Sequence, residues 1–387
     1  LAWQSMERDG YESDRNRLCI YDLKEGTKSY VTESFDYSVD DYGWAPDSYT
    51  LYFIGVWHGT ENLYKTDLKG EVKQLTGDMA DFGSLQVISN TLLLAERHSF
   101  IEPSDLYLVT PGDSIAETKV VQITEVNKDI LDQMAKPTVE QRWVKTTDGK
   151  EMLTWVVLPP HFDASKKYPM IVNYYGGCSP TERNFESRYP HHAYAALGYV
   201  VYVVLPSGAS GFGQEFSSRH VNAYGDYTAD DIIQGTKQFC KEHPFVKADK
   251  IGCLGASYGG FMTTSLMTTY PDVFKVGVAG GPVIDWKMYE VMYGERYMDT
   301  PQDNPEGYKN SDLTQRAGDL KGELQIIIGG NDPVCVPQHS YAFLRACIDA
   351  GTHPDYFIYP GDGHNMAGRD RIHLHERITQ YFEDFLK

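Results

Sequence analysis

Positive charge is scarce in this chain. Only 35 Lys and Arg stand against 54 Asp and Glu, a formal net charge of −19 over 387 residues. Nucleic-acid recognition rests on a basic patch, so no nucleic-acid partner is expected. Long apolar runs are also missing. No stretch approaches the roughly 20 residues of a membrane span. Cysteine is sparse: Cys19, Cys178, Cys240, Cys253, Cys335 and Cys347 show no Cys-x-x-Cys spacing. That removes the usual zinc and dithiol signatures and leaves the thiols as small core residues. There is no Asn-x-Ser/Thr sequon, so N-glycosylation is not expected. No signal peptide is visible. The chain opens at Leu1 in what reads as mid-domain sequence, and we read it as the C-terminal part of a longer protein.

Tyr is plentiful, at 28 residues, and aromatic-rich segments suit β-structure. From Arg17 to about Thr124 short β-like runs alternate with turn signals: Arg17–Tyr21, Thr50–Ile54, Asn62–Thr66, Thr91–Ala95 and Asp105–Val109. A weak repeat runs through them. Tyr21-Asp-Leu-Lys-Glu-Gly26 resembles Thr66-Asp-Leu-Lys-Gly70, and Asn62-Leu-Tyr64 resembles Asp105-Leu-Tyr107. The period of about 43–45 residues is that of a four-stranded propeller blade. Residues 1–136 are therefore expected to be an incomplete all-β segment, the last blades of a β-propeller. Leu1 to Gly10 would be the tail of a strand pair entered midway.

Periodicity changes around Asn127–Pro137, and residues 137–387 read as α/β. Gln141–Lys145 and Met152–Leu158 suggest a hairpin turning at Asp148-Gly149. The strands expected after it are Met170–Tyr174, Tyr199–Leu205, Ile251–Leu254, Val276–Ala279, Leu324–Ile328 and Asp355–Tyr359. The helices are Tyr189–Ala196, Tyr227–Lys241, Phe261–Thr269, Gln338–Ala350 and Arg371–Leu386. This pattern suits an α/β-hydrolase.

Gly255-Ala-Ser-Tyr-Gly-Gly260 sits between the Ile251 strand and the Phe261 helix. Strand, Gly-x-Ser-x-Gly, helix is the context of a nucleophile elbow, with Ser257 at its apex. The fold places the remaining members in the order acid, then His. Asp332 follows the Leu324–Ile328 strand, and His364 lies in a Gly-rich loop after Asp355–Tyr359. A Ser hydroxyl needs a base to take its proton, and a carboxylate fixes that base's tautomer. Asp362 competes as the acid but stands only two residues from His364. His191-His192 and His373-x-His375 lack carboxylate partners at helical spacing and read as surface helix positions, so no metal is expected. Gly211-Phe-Gly-Gln-Glu-Phe216 lacks a dinucleotide loop's third Gly and reads as a turn-rich active-site loop. No cofactor is implied.

Asn173-Tyr-Tyr-Gly-Gly177 after an early strand, Ser257-Tyr-Gly-Gly260 at the elbow, a propeller before the hydrolase domain, and Tyr293-Gly-Glu-Arg-Tyr297 together resemble the prolyl oligopeptidase family of serine peptidases. Within it the chain is most similar to the dipeptidyl peptidase IV branch and its bacterial prolyl tripeptidyl peptidases. The resemblance implies an oxyanion hole formed by the Tyr175 hydroxyl and the Tyr258 amide. It also implies a proline pocket of Tyr258, Val283, Trp286, Tyr289 and Tyr293. Trp286, Tyr289 and Tyr293 fall at i, i+3 and i+7, one face of a helix. Glu290 and Glu295 lie beside this stripe, and Glu290 is favoured to hold a substrate's free amino terminus. Three features depart from the family pattern. Ala256 stands where many relatives carry Trp, and Val334 stands where dipeptidyl peptidase IV has a carbonyl-binding Asn. The acidic pair that anchors the amino terminus in this branch is expected in propeller sequence before Leu1. The implied function is a serine exopeptidase releasing di- or tripeptides after proline, periplasmic or secreted, with a homodimer left open. The rivals are a broader oligopeptidase or esterase of the same fold and a non-catalytic binding relative.

Overall fold

Three threonines explain the repeat in the first part of the chain. The computed structural model describes residues 1–8 and 13–387, so Asp9 and Gly10 of the opening stretch lie outside the described residues. The Oγ1 atoms of Thr32, Thr76 and Thr124 accept the backbone N–H of Leu18, Leu63 and Leu106, at 2.8, 2.9 and 2.8 Å. Each threonine follows the last strand of its sheet and ties the chain back to the strand before that one, satisfying a buried or part-buried donor. The Asp-Leu-Lys element recurs for a similar reason. Asp22 Oδ1 accepts the N–H groups of Lys24 and Glu25, and Asp67 Oδ1 those of Lys69 and Glu71. Both are Asx turns between strands.

The strands form three antiparallel sheets in chain order. The first holds Ala2–Ser5, Arg17–Asp22 and Thr27–Tyr30. The second holds Val39–Trp44, Thr50–Trp57, Thr60–Asp67 and Lys73–Gln74. The third holds Asp81–Ser89, Leu92–His98, Asp105–Thr110 and Lys119–Gln122. Alternation along Thr50–Trp57 gives the second sheet two apolar faces. Leu51 and Phe53 pack with Leu18 and Ile20 of the first sheet and with Val31 just past it. Tyr52 and Ile54 pack with Phe82, Leu93 and Val109 of the third. Face-to-face stacking of successive meanders is how propeller blades pack.

The chain divides into two compact units. The first comprises Leu1–Lys136 with Glu182–His192 and Ala209–Ser218; the second comprises Pro137–Thr181, Ala193–Gly208 and Arg219–Lys387. The Gly211–Phe216 loop thus belongs to the first unit, where Gly211 O accepts the His58 N–H at 2.8 Å. The two histidine pairs are not alike. His191 is buried in the first unit, edge-on to Phe100 at 5.1 Å, and His192 stacks on Phe185 at 4.0 Å. The expectation of surface positions fails for His191, because its ring fills an aromatic site; burial pushes its pKa down to about 3. His373 does sit exposed, with Nδ1 2.8 Å from the Tyr359 hydroxyl.

The second unit is built on one eight-stranded sheet: β1 (Thr138–Lys145), β2 (Glu151–Leu158), β3 (Tyr168–Asn173), β4 (Val200–Leu205), β5 (Val246–Ala256), β6 (Val276–Gly280), β7 (Glu323–Gly329) and β8 (Asp355–Tyr359). Their order is β1-β2-β4-β3-β5-β6-β7-β8, antiparallel at β1-β2 and β2-β4 and parallel from β4 onward. The central strands are unbroken apolar runs because helices cover both faces. The long helices are α1 (Asp226–Glu242), α2 (Tyr258–Thr269), α3 (Val291–Met298), α4 (Pro337–Ala350) and α5 (Gly368–Leu386). α2 is buried on all sides from Tyr258 to Thr268, as expected of a helix locked behind the central strand. This is an α/β-hydrolase fold preceded by a β-rich segment. Its loops at the carboxyl ends of β5, β6, β7 and β8 carry Ser257, Gly281, Asp332 and His364.

Candidate active site

Ser257 ends β5 and caps α2 with φ 60° and ψ −118°. A non-glycine residue rarely holds that backbone, and the surroundings must enforce it. They do. Ser257 N–H donates to Gly280 O at 2.8 Å, and Ser257 O accepts the Phe261 N–H at 3.0 Å, the first bond of α2. A Cβ at Gly255 would lie 2.5 Å from Gly259 O, so only glycine lets the turn close. Tyr258 is the first residue of α2, so its N–H is one of the helix's unpaired donors.

Asp332 follows β7 and is buried at 3% exposure. Its Oδ1 accepts the N–H groups of Val334 and Cys335 at 2.8 and 2.9 Å. Its Oδ2 lies 2.8 Å from His364 Nδ1. Burial raises the carboxyl's pKa, but the hydrogen bond and charge of His364 and the two amides outweigh it, leaving it below the usual carboxylate range. A Cβ at Gly281 would stand 3.3 Å from His364 Cε1 and 3.4 Å from Asp332 Oδ2. Gly280 accepts the Ser257 backbone N–H at 2.8 Å, so the Gly280–Gly281 dipeptide at the end of β6 links the Ser257 turn to the Asp332–His364 pair. The loops of Asp332 and His364 touch directly: a Cβ at Gly329 would overlap Gly363 O. The acid on His364 is thus Asp332, and Asp362 takes no part in that bond.

Tyr175 lies half-buried on the loop after β3, its ring 6.1 Å from that of Tyr258. Its N–H donates to Thr181 Oγ1 at 3.2 Å, and Thr181 Oγ1 in turn donates to Val204 O at 2.7 Å. The loop is therefore tied to β4.

The pocket aromatics come together, though not as a helical stripe. Trp286–Met288 is a short 3-10 turn, and α3 begins only at Val291. Two caps cause the break. Asp285 Oδ1 accepts the Lys287 N–H at 3.0 Å, and Glu290 Oε1 accepts the Tyr293 N–H at 2.9 Å. Each starts a new helical turn, with an extended residue between them. The rings still pack: Trp286–Tyr289 at 5.2 Å, Tyr289–Tyr293 at 5.7 Å, Trp286–Tyr293 stacked at 6.1 Å and Tyr258–Trp286 at 5.4 Å. Val283, three residues before Trp286, is also buried. Glu290 and Glu295 are both exposed.

Three residues near this site had no signal in the sequence. Tyr224, in the loop before α1, sits among the rings, 4.4 Å from Trp286, 5.2 Å from Tyr258 and 6.0 Å from Tyr293. Cys335 is fully buried with Sγ 3.9 Å from Ser257 Oγ. His339, also fully buried, accepts the Ile284 N–H at its Nδ1. Each comes from a separate loop or helix, and only the folded sheet brings them close. Among the described residues no cluster of three metal-ligating side chains occurs, and no helix is long and apolar enough to cross a membrane.

The sequence pattern of the prolyl oligopeptidase family matches residues 186–387, just over half of the chain. Dipeptidyl-peptidase 5 of Porphyromonas gingivalis is 41% identical over 290 residues, covering 74% of this chain and 42% of that protein. Dipeptidyl peptidase 4 of Sus scrofa is 29% identical over 352 residues, covering 87% of this chain and 45% of that protein. The chain thus spans less than half the length of these two relatives. The crystal structure of Porphyromonas gingivalis dipeptidyl peptidase 4 superposes with a TM-score of 0.82 at 26% identity, over 100% of this chain and 54% of that one.

Proposed function

The chain belongs to the prolyl oligopeptidase family, and from that premise we propose that it is the catalytic part of a serine exopeptidase that releases di- or tripeptides after proline. One observation carries the chemistry. A strained Ser257 has its backbone N–H on Gly280 O, and the adjoining Gly281 packs against the 2.8 Å Asp332–His364 pair. In this reading His364 Nε2 takes the Ser257 proton as Oγ attacks the scissile carbonyl. The new C–O bond leaves a tetrahedral oxyanion, which the Tyr258 N–H and the Tyr175 hydroxyl stabilise. Collapse expels the leaving amine with the proton from His364. Water then repeats the sequence on the acyl-enzyme. Asp332, kept ionised, holds the imidazole tautomer and balances the imidazolium.

Tyr258, Val283, Trp286, Tyr289 and Tyr293 would form flat walls for a pyrrolidine ring, with Tyr224 behind them. Glu290 would hold the free amino terminus. Xaa-Pro and Xaa-Xaa-Pro chromogenic amides, with acetylated versions and simple esters as controls, test the reading. Release from the free-amine amides is expected, and cleavage of esters alone contradicts it.

Glu290→Gln has a clean readout. Gln can still accept the Tyr293 N–H and keep the cap, so α3 stays formed while the charge is lost. KM for free-amine peptides should rise while blocked peptides are unaffected. Equal changes for both would remove Glu290 from substrate binding.

A further inference from the structure

His339 has no part in the chemistry above, yet it joins the two halves of the site. It lies in the first turn of α4, which begins just past Asp332, and it is 0% exposed. Its Nδ1 accepts the Ile284 N–H at 3.2 Å. Ile284 O accepts the Leu313 N–H at 3.0 Å, so the residue after Val283 is held through both its N–H and its carbonyl. The ring also approaches Tyr289, with centroids 6.4 Å apart. An imidazole that accepts at Nδ1 is neutral and carries its proton on Nε2. Burial favours that state and pushes the pKa down to about 4, although the Asp332 carboxylate pulls the other way. Asp332, on the loop after β7, and Tyr289, on the pocket segment, are the ionisable groups that face it. Asp285 and Asp312, on the segments flanking Ile284, are engaged by the N–H groups of Lys287 and Thr314.

We propose that His339 is a positioning residue for substrate selection: its Nδ1 lone pair fixes the Ile284 peptide, and with it the Val283–Trp286 wall, against the loop that carries Asp332. The role needs an acceptor and not a ring. It also needs neutrality, because a protonated Nδ1 cannot accept. The inference rests on the peptidase reading, since the wall matters only if it receives a substrate side chain.

The test compares wild type, His339→Leu and His339→Asn. Leu keeps volume without an acceptor, while the Asn Oδ1 can replace Nδ1 and does not titrate. Two rates are read: hydrolysis of an Xaa-Pro amide, and labelling of Ser257 by a small fluorophosphonate that leaves the pocket unfilled. His339→Leu should raise KM about tenfold, the scale of a misfitted pocket contact, with labelling within about twofold of wild type. His339→Asn should keep the wild-type KM near neutrality. It should also lessen the rise in KM expected of wild type as pH falls toward 4. An unchanged KM in His339→Leu, a labelling rate that falls in step with turnover, or no rescue by Asn would each overturn the proposal. Should His339→Leu fail to fold, the pH profile of His339→Asn decides: a rise in KM smaller than that of wild type supports the role, and an equal rise contradicts it. A wild-type protein that is labelled but cleaves no proline amide overturns the peptidase reading and this inference with it.

Discussion

Ser257 occupies backbone space that glycine adopts freely, and such strain costs on the order of 1–3 kcal/mol. Ser257→Gly should therefore raise stability by about 1 kcal/mol, and Ser257→Ala should leave it nearly unchanged; both should abolish turnover. Thermal melts of the three proteins check this. A Ser257→Gly protein less stable than wild type would mean that the turn is not strained. The strand-end placements of the three residues proposed as a triad were legible in the sequence, because this fold hangs such residues on the ends of named strands. Ser257 follows β5, Asp332 follows β7 and His364 follows β8, in the order expected. Tyr224, Cys335 and His339 were not legible. Tyr224 lies in a loop without periodicity, and Cys335 resembled any other small core residue. His339 differs from a surface histidine only by its burial, which no local pattern records.

At the scale of elements, the aromatic stripe was read as one helix, and two caps make it three pieces. The i, i+3, i+7 spacing placed the rings correctly as neighbours, because a 3-10 turn followed by an α-turn approximates the same face. It missed the capping by Asp285 and Glu290, whose carboxylates each start a separate helical turn. Glu290→Ala, unlike Glu290→Gln, should lose the cap and cost about 1 kcal/mol in a denaturant titration. The repeat in the β-rich unit was legible as a period, but the threonines that anchor it were not. Thr76→Val keeps the shape and leaves the buried Leu63 N–H without its acceptor. It should destabilise by about 1–3 kcal/mol. A value near zero would show that the threonine device is incidental.

For the molecule as a whole, the two units respond differently to pH. In the β-rich unit Glu61 has its pKa pushed up to about 7, first by burial and then by the charges of Asp81 and Asp40. The folded state therefore binds this proton more tightly than the unfolded chain, whose carboxyl titrates at the ordinary value near 4.5. Stability from this group is intact below that value and is lost as pH rises through about 7. Glu61→Gln mimics the protonated form. It should stabilise the β-rich unit at pH 8, by up to about 3 kcal/mol, and change little at pH 4. His339 in the hydrolase unit has the opposite sign: its folded pKa is depressed, so its contribution is complete above the unfolded value of about 6.5 and is lost as pH falls toward 4. Melting curves of wild type and Glu61→Gln at both pH values separate the two. Equal shifts at pH 4 and pH 8 would remove Glu61 as the cause.

The central claim is that Ser257 is a nucleophile activated by the Asp332–His364 pair. Fluorophosphonate labelling followed by peptide mapping tests it most directly, because a second nucleophile, the Cys335 thiol, lies only 3.9 Å from Ser257. The account predicts one covalent adduct, on the peptide carrying Ser257, absent in Ser257→Ala and formed far more slowly in His364→Ala. An adduct on Cys335, or labelling of Ser257 at the same rate without His364, would contradict it.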